Sequence, residues 1–195
     1  MEPLTVKGVT FRTDGMTPEA LAYLRQKSGR VIRREKLRNH PLHWLIRTFL
    51  PADYQCLDLE SMAGGKVLVV GCSGGIETLG LQALGIDINH RALRIAAELR
   101  QRAQGVTSHS LAASGCDLPF GAGGFDCLLS DNVVEHIPPA AVPRHLREAR
   151  RVLRPGGRYI FTTPNRLFEV PAEEGHVSLH SFAEWETLLA EAGFR

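Results

Sequence analysis

The sequence predicts a doubly wound α/β fold built on a mostly parallel sheet. Three observations carry that prediction. After residue 60, short apolar runs alternate with helical patterns in regular succession. The runs are continuously apolar, as strands covered on both faces by crossover helices must be. The first run, in "KVLVVGCSGGIETLGLQALGIDIN" (Lys66–Asn89), feeds a glycine-rich turn, and the next one ends in an acid.

A chain of 195 residues, 44% hydrophobic and 23% charged, has the size and balance of one globular domain with a modest appendage. We divide it near residue 60, into an N-terminal helical extension (1–60) and the α/β domain (61–195). No apolar run reaches the roughly 18 residues of a membrane span. The start, "MEPLTVKGVTFR", lacks the apolar core of a signal peptide, so a cytoplasmic location is expected. Cys56, Cys72, Cys116 and Cys127 form no C-x-x-C pair. They read as reduced, mostly buried thiols rather than a disulfide or zinc set, and no metal is expected.

In the extension, Thr17 and Pro18 make an N-cap and first helical position, opening a helix to about Lys27. A second helical stretch, Arg33–Phe49, is broken by Pro41 near Asn39–His40 and ended by Pro51. The net charge of +2 is unevenly placed, with seven Arg/Lys against the single acid Glu35 in residues 25–38. Such a run can meet phosphates. Without interleaved aromatics it reads first as a solvated helix face.

In the domain, strands are expected at Lys66–Val70, Gly85–Ile88, Val106–Leu111, Phe125–Ser130 and Tyr159–Thr163. Helices are expected near Ile76–Ala83, Arg91–Ala103, Ala140–Leu153 and Ser181–Ala192. Right-handed crossovers then make the sheet parallel.

Ligands of such sheets bind beyond the carboxyl ends of the strands, at the switch point. Glycines in Gly71-Cys72-Ser73-Gly74-Gly75 let the backbone turn and approach a ligand closely. Asp87, at the tip of the second strand, can accept from both ribose hydroxyls. The dinucleotide fingerprint wants glycine at 71, 73 and 76, and the chain has Gly71, Ser73 and Ile76. The pattern therefore points to an adenosine-bearing ligand without a diphosphate.

Five segments, in order, make the chain from about Lys66 to Phe194 resemble the class I S-adenosylmethionine (SAM)-dependent methyltransferases, in the group that includes ubiquinone-biosynthesis O-methyltransferases. They are "VLVVGCSGG", "GIDINHRAL", "DLPFGAGGFDCLLSDNVVEHI", "LREARRVLRPGGRYIFTTPNR" and "HSFAEWETLLAEAGF". The resemblance implies a Rossmann-like fold and SAM as cofactor, with S-adenosylhomocysteine (SAH) as product. It implies that Gly71, Ser73 and Gly75 line the methionine part, that Asp87 binds the ribose and that Ile88 lies against the adenine. By the same implication Ser114 and Leu118 approach the adenine edge, and Asp131 sits beside the sulfonium or carboxylate. Asp117 stands between an adenine contact and a solvated turn residue. The extension would act as a lid, with His43 and Trp44 either part of it or packed as an apolar helix face.

The chain departs from the family in four places. Val69 replaces a frequent acid. Ser73 replaces the central glycine, which is tolerable where φ is negative. The segment Gly75–Gly85 is short, so either the first helix is cut to about two turns or residues are missing between Leu84 and Gly85. The family continues past "AGF" into a hairpin that completes the sheet. The chain's end at Arg195 is therefore read as a fragment, a disordered tail, or an edge covered by the N-terminal helices or by a second subunit in a homodimer.

Methyl transfer from a sulfonium needs alignment and exclusion of water. A hydroxyl acceptor must also lose its proton. The candidate bases are His136 and His176, with His180 after them; their structural alternatives are a turn residue, a loop residue and a neighbour of the helix cap at Ser181. Asn132 could hold an acceptor or end its strand, and Asn165 is first a turn signal. The expected acceptor is a small molecule, with O-methylation as one form. The alternatives are a non-catalytic cofactor- or partner-binding protein, and an RNA or protein methyltransferase using the basic segment.

Overall fold

The structure, a computed structural model, describes residues 3–7, 9–38, 64–167 and 175–195. The expected helix beyond Arg38, with Pro41, His43 and Trp44, lies outside the described residues, as do Cys56 and the side chains of 29–38. Cys72, Cys116 and Cys127 are free thiols. Among the described residues no helix is long and apolar enough to cross a membrane.

A hairpin comes first, β1 (Leu4–Val6) and β2 (Val9–Phe11), followed by α1 (Pro18–Arg38). The sequence reading had no strands here; each has only three residues, too few for a period to register. It also stopped the helix at Lys27, whereas α1 runs on through Ser28 and Gly29.

The main sheet contains β3 (Val67–Val70), β4 (Leu84–Asp87), β5 (His109–Ala112), β6 (Phe125–Asp131) and β7 (Leu153–Thr162). Its order is β5-β4-β3-β6-β7, and every pair is parallel. The chain starts at the centre, builds outward through β4 and β5, and then returns to the other side of β3. The switch point is therefore at the carboxyl ends of β3, β4 and β6. Helices α2 (Ile76–Gly80), α3 (His90–Arg102), α4 (Val142–Val152) and α5 (Phe182–Glu191) make or follow the crossovers.

The expected doubly wound α/β fold is present. Leu68, Val70, Ile86 and Leu128 form one core with Ala149 and Val152 of α4. Val67, Val69, Cys127 and Leu129 form another on the opposite face. The extension is no loose appendage. Val6, Val9, Phe11, Ala20 and Leu24 pack with Ile76, Leu79 and Leu99 in a third cluster. Thr17 donates from its N–H to Glu98 at 2.7 Å, and Arg91 pairs with Glu19 at 2.8 Å.

The short first crossover closes by cutting its helix to five residues, fewer than expected. Register is kept, with Leu68 opposite Leu84 and Val70 opposite Ile86. Gly85 makes the close fit of helix on strand: a Cβ there would lie 2.8 Å from both Cys72 Sγ and Thr78 Oγ1. The close-packing glycine is thus absent from position 76, where the dinucleotide fingerprint wants one. It sits on the strand instead.

Candidate functional site

The carboxyl ends of the strands place a row of polar groups along one rim. Register gives its order. Asp87 pairs with Ala112, so Ser114 follows beside it on the β5 side. Val70 pairs with Ser130, so Gly71 and Asp131 are next along, and Asp131 pairs with Thr162.

The glycine turn bends through three left-handed residues, Gly71 (φ 70°), Ser73 (φ 48°) and Gly75 (φ 78°). Ser73 thus adopts the conformation that the sequence reading hoped it would avoid. Its compensation is direct: the Ser73 N–H donates to Asp87 Oδ2 at 2.8 Å, and Asn89 N–H donates to Oδ1 at 2.8 Å. Asn89 in turn caps α3, its Oδ1 accepting from Arg91 and Ala92 N–H. The acid is therefore held toward the turn by two charge-assisted bonds.

Each Asp87 oxygen still has acceptor capacity, because an ionised carboxylate offers about four lone-pair sites. Beside it Ile88 is 74% exposed, a broad apolar face at the tip of β4. A carboxylate with spare acceptors next to an uncovered apolar side chain suits a ribose and an aromatic base. These residues fit the expected adenosyl group.

Other expected contacts separate. Gly75 is buried, and a Cβ there would come within 3.0 Å of Ala96 Cβ on α3, so its Cα side packs on that helix. Leu118 likewise faces inward. Its side chain is 4% exposed in the main core, and its N–H donates to Glu148 at 2.8 Å. The apolar "LPF" segment turns inward because α4 covers it. Ser114 remains exposed on the rim, its Oγ accepting from Cys116 N–H at 3.1 Å. Asp117 is a solvated turn residue paired with Arg144 at 3.5 Å.

The extension also reaches the turn. A methyl on Gly74 would collide with the ring of Tyr23 from α1, and one on Gly71 with Val133. These two glycines admit the chain's own side chains, which wall the turn. Asp131 accepts from Thr162 Oγ1 and from Asn132 Nδ2, so it is tied back to β7. Asn132 continues with φ 52° and swings the chain out of the sheet.

That swing delivers the second half of the site. Residues Val134–His136 form a 3₁₀ turn, and the loop at 175–178 docks on it. Val177 and Ser178 N–H both donate to the Glu135 carbonyl, at 2.8 and 3.0 Å. His136 and His176, expected from sequence as alternatives, meet edge to face with ring centroids 4.9 Å apart. Glu135, which the sequence reading passed over, completes them. One ligand atom from each of Glu135, His136 and His176 lies within 4.8 Å of the others.

Glu135 is fully buried, and neither carboxylate oxygen has a hydrogen-bond partner. Burial pushes its carboxyl up from the usual range, opposed by the two imidazoles. The only signal in the sequence was the Glu-His doublet after the strand. His180 is set apart: its ring meets Trp185 edge to face at 4.8 Å, and its backbone forms an isolated bridge with Asn165. Asn165 Oδ1 accepts from Leu167 N–H at 2.9 Å, the expected turn.

Residues 68–161 match the family described as "Methyltransferase domain". A ubiquinone biosynthesis O-methyltransferase of Aromatoleum aromaticum is 33% identical over 114 residues, 55% of this chain and 47% of that protein. The chain spans about half the length of the curated relatives it matches. Among solved structures, the YcgJ protein of Bacillus subtilis superposes with a TM-score of 0.61 at 21% identity, covering 69% of this chain and 65% of that one. An S-adenosylmethionine dependent methyltransferase of Mesorhizobium loti gives 0.56 at 16%, covering 80% and 82%. The glycine turn and Asp87 both lie within the segment, residues 68–161, that matches the methyltransferase-domain family.

Proposed function

We propose that the protein transfers a methyl group from SAM to a hydroxyl of a small molecule. The observation that carries this reading is the order of groups along the rim. Ile88 and Ser114 suit an adenine, Asp87 a ribose, Ser73 and Gly71 an amino-acid end, and Asp131 the approach to the sulfonium. The His136–His176 pair comes beyond them, on the acceptor side.

When bound, SAM supplies a methyl group on a good leaving group. The residues of the chain then have three tasks. Asp87 and the Ser73 backbone orient the donor by fixed hydrogen bonds, so no reorganisation is needed at the moment of reaction. Tyr23 and Val133 cover the turn and keep water from it. The imidazoles handle the acceptor's proton, which must leave as the new O–C bond forms.

The extension is a lid on this reading, supported by the seat of Tyr23 against Gly74. Association of two copies through the β7 edge belongs to the same proposal, as does a cytoplasmic location, which the free thiols of Cys72, Cys116 and Cys127 support. Isothermal titration with SAH, followed by turnover assays on phenolic and aliphatic hydroxyl acceptors, tests the reading. Micromolar SAH binding with methyl turnover is expected; absence of SAH binding at millimolar concentration would end it.

A further inference from the structure

We propose that His145, on α4, is a positioning residue for the cofactor: through the Gly115 carbonyl it sets the turn that holds Ser114 at the rim. The inference rests on the function proposed above, in which Ser114 faces the adenine.

The first ground is how that turn is held. Residues 114–117 close on themselves, with Asp117 N–H donating to the Ser114 carbonyl and Cys116 N–H to Ser114 Oγ, both at 3.1 Å. Those bonds shape the turn and do not place it. Its placing ties lead to α4 and the residue before that helix. Arg144 pairs with Asp117 at 3.5 Å between two exposed side chains, a kind of contact that contributes little. The Cys116 thiol, a weak donor, points at the Ala141 carbonyl at 3.8 Å. His145 is different. Its ring is completely buried, and Nδ1 lies 2.9 Å from the Gly115 carbonyl.

The second ground is the fit around Gly115. A methyl there would lie 3.0 Å from Val70 Cγ1 and 3.1 Å from His145 Nδ1. Val70 ends β3, immediately before Gly71. The turn is thus seated between the end of the central strand and the imidazole, and its place follows the ring's.

The third ground is that the ring is itself fixed from its other side. A carbonyl only accepts, so Nδ1 donates and Nε2 accepts from the Tyr159 hydroxyl at 2.7 Å. The tyrosine oxygen is then left to accept from Ser130 at 2.9 Å. Every hydrogen in the chain points the same way, from Ser130 through Tyr159 and His145 to Gly115. Ser130 is fully buried and directly precedes Asp131. One satisfied buried network therefore links the strand that carries Asp131 to the turn that carries Ser114, and such networks rigidify what they join.

The test separates the two bonds of the ring. His145→Asn keeps an N–H at the place of Nδ1, for Gly115, and gives up Tyr159. His145→Gln keeps an acceptor at the place of Nε2, for Tyr159, and gives up Gly115. Each loses one bond of two, so a role in folding alone would affect both alike. In SAH calorimetry well below the melting range, His145→Gln should bind about 3- to 10-fold more weakly than the parent, and His145→Asn within about twofold of it. Amide hydrogen exchange over residues 113–118 of the ligand-free chains should quicken in His145→Gln and not in His145→Asn. The absence of either contrast, or its reversal, overturns the proposal. If neither variant folds, the parent decides: the Nδ1 nitrogen resonance of His145 should move when SAH binds, and a resonance that stays put overturns the proposal. A parent that binds no SAH removes this inference and the methyl-transfer assignment together, whereas SAH binding with the two variants alike removes the inference alone.

Discussion

The backbone N–H of Ser73 donates to the Asp87 carboxylate at 2.8 Å, joining the glycine turn after β3 to the tip of β4. One bond thereby fixes the two elements that the proposed function assigns to the methyl donor. It also accounts for a serine at φ 48°, a region costing L-residues about 1–2 kcal/mol. Ser73→Gly should relieve that strain and raise stability by up to about 1 kcal/mol, while retaining SAH affinity within a few-fold. Urea unfolding beside SAH calorimetry checks both; a clear loss of stability would mean that the serine side chain is needed.

Asp87→Asn tests the other partner. The amide oxygen can keep one of the two N–H bonds at 2.8 Å, but the charge and the second acceptor are lost. Bonds to a charged group contribute about 1.5–3 kcal/mol each, so SAH should bind roughly 10- to 100-fold more weakly.

Much of this architecture was legible because it is local. The buried strands β3 and β6 announce themselves as "VLVV" and "FDCLLSD", and the acid of Asp87 follows at the end of "LGID". What escaped depends on distant partners. Expected at Tyr159, β7 begins at Leu153 because Pro155, Gly156 and Gly157 stay in the strand as it pairs with β6 through an irregular register. An edge strand tolerates a proline whose missing N–H faces outward. Val106 looks like a strand start, yet it packs against the extension's cluster, and β5 waits until His109. Glu135 reads as a surface acid in "VVEHIPP". In the fold it is buried, and residues 175–178, about forty positions later, dock on its backbone carbonyl.

Gly71 should resist substitution for two separable reasons. Its φ of 70° penalises any side chain, and a methyl there would collide with Val133 Cγ2. Gly71→Ala should cost about 2–4 kcal/mol in total, taking backbone strain and overpacking together. Adding Val133→Ala should recover the collision part and leave the backbone part, about 1–2 kcal/mol. Chemical denaturation of the single and double variants measures the split.

His145 predicts an acid-sensitive fold. The ring is completely buried: Nδ1 donates to the Gly115 carbonyl at 2.9 Å, so Nε2 accepts from the Tyr159 hydroxyl at 2.7 Å. Tyr159 in turn accepts from Ser130 at 2.9 Å. Burial lowers the pKa of His145, against the opposing effect of the Gly115 bond. The unfolded chain therefore binds the proton more readily than the folded one, and stability falls as pH drops below about 6.5. Melting curves between pH 7.5 and 5.5 should show the decline, and His145→Gln, though less stable at pH 7.5, should flatten it. Tyr159→Phe leaves Nε2 unpaired and should cost about 1–3 kcal/mol at neutral pH.

Glu148 acts in a lower window. Arg151 holds it in a two-point pair at 2.7 Å, and the Leu118 N–H adds a third bond at 2.8 Å. Together, with the arginine's hydrogen bonds foremost, they bring the carboxyl down to about 2. Arg151 also donates to the carbonyls of Leu118 and Phe120 at 2.9 and 2.7 Å, so the pair fastens α4 to the segment that turns Leu118 into the core. A folded pKa below the unfolded value of about 4.3 contributes stability above that value, lost as pH falls toward 2. Urea midpoints measured from pH 5 to pH 3 should drop for the parent chain. Glu148→Gln should start lower at pH 5 and lose less over the same interval; parallel slopes would show that other carboxylates govern acid unfolding.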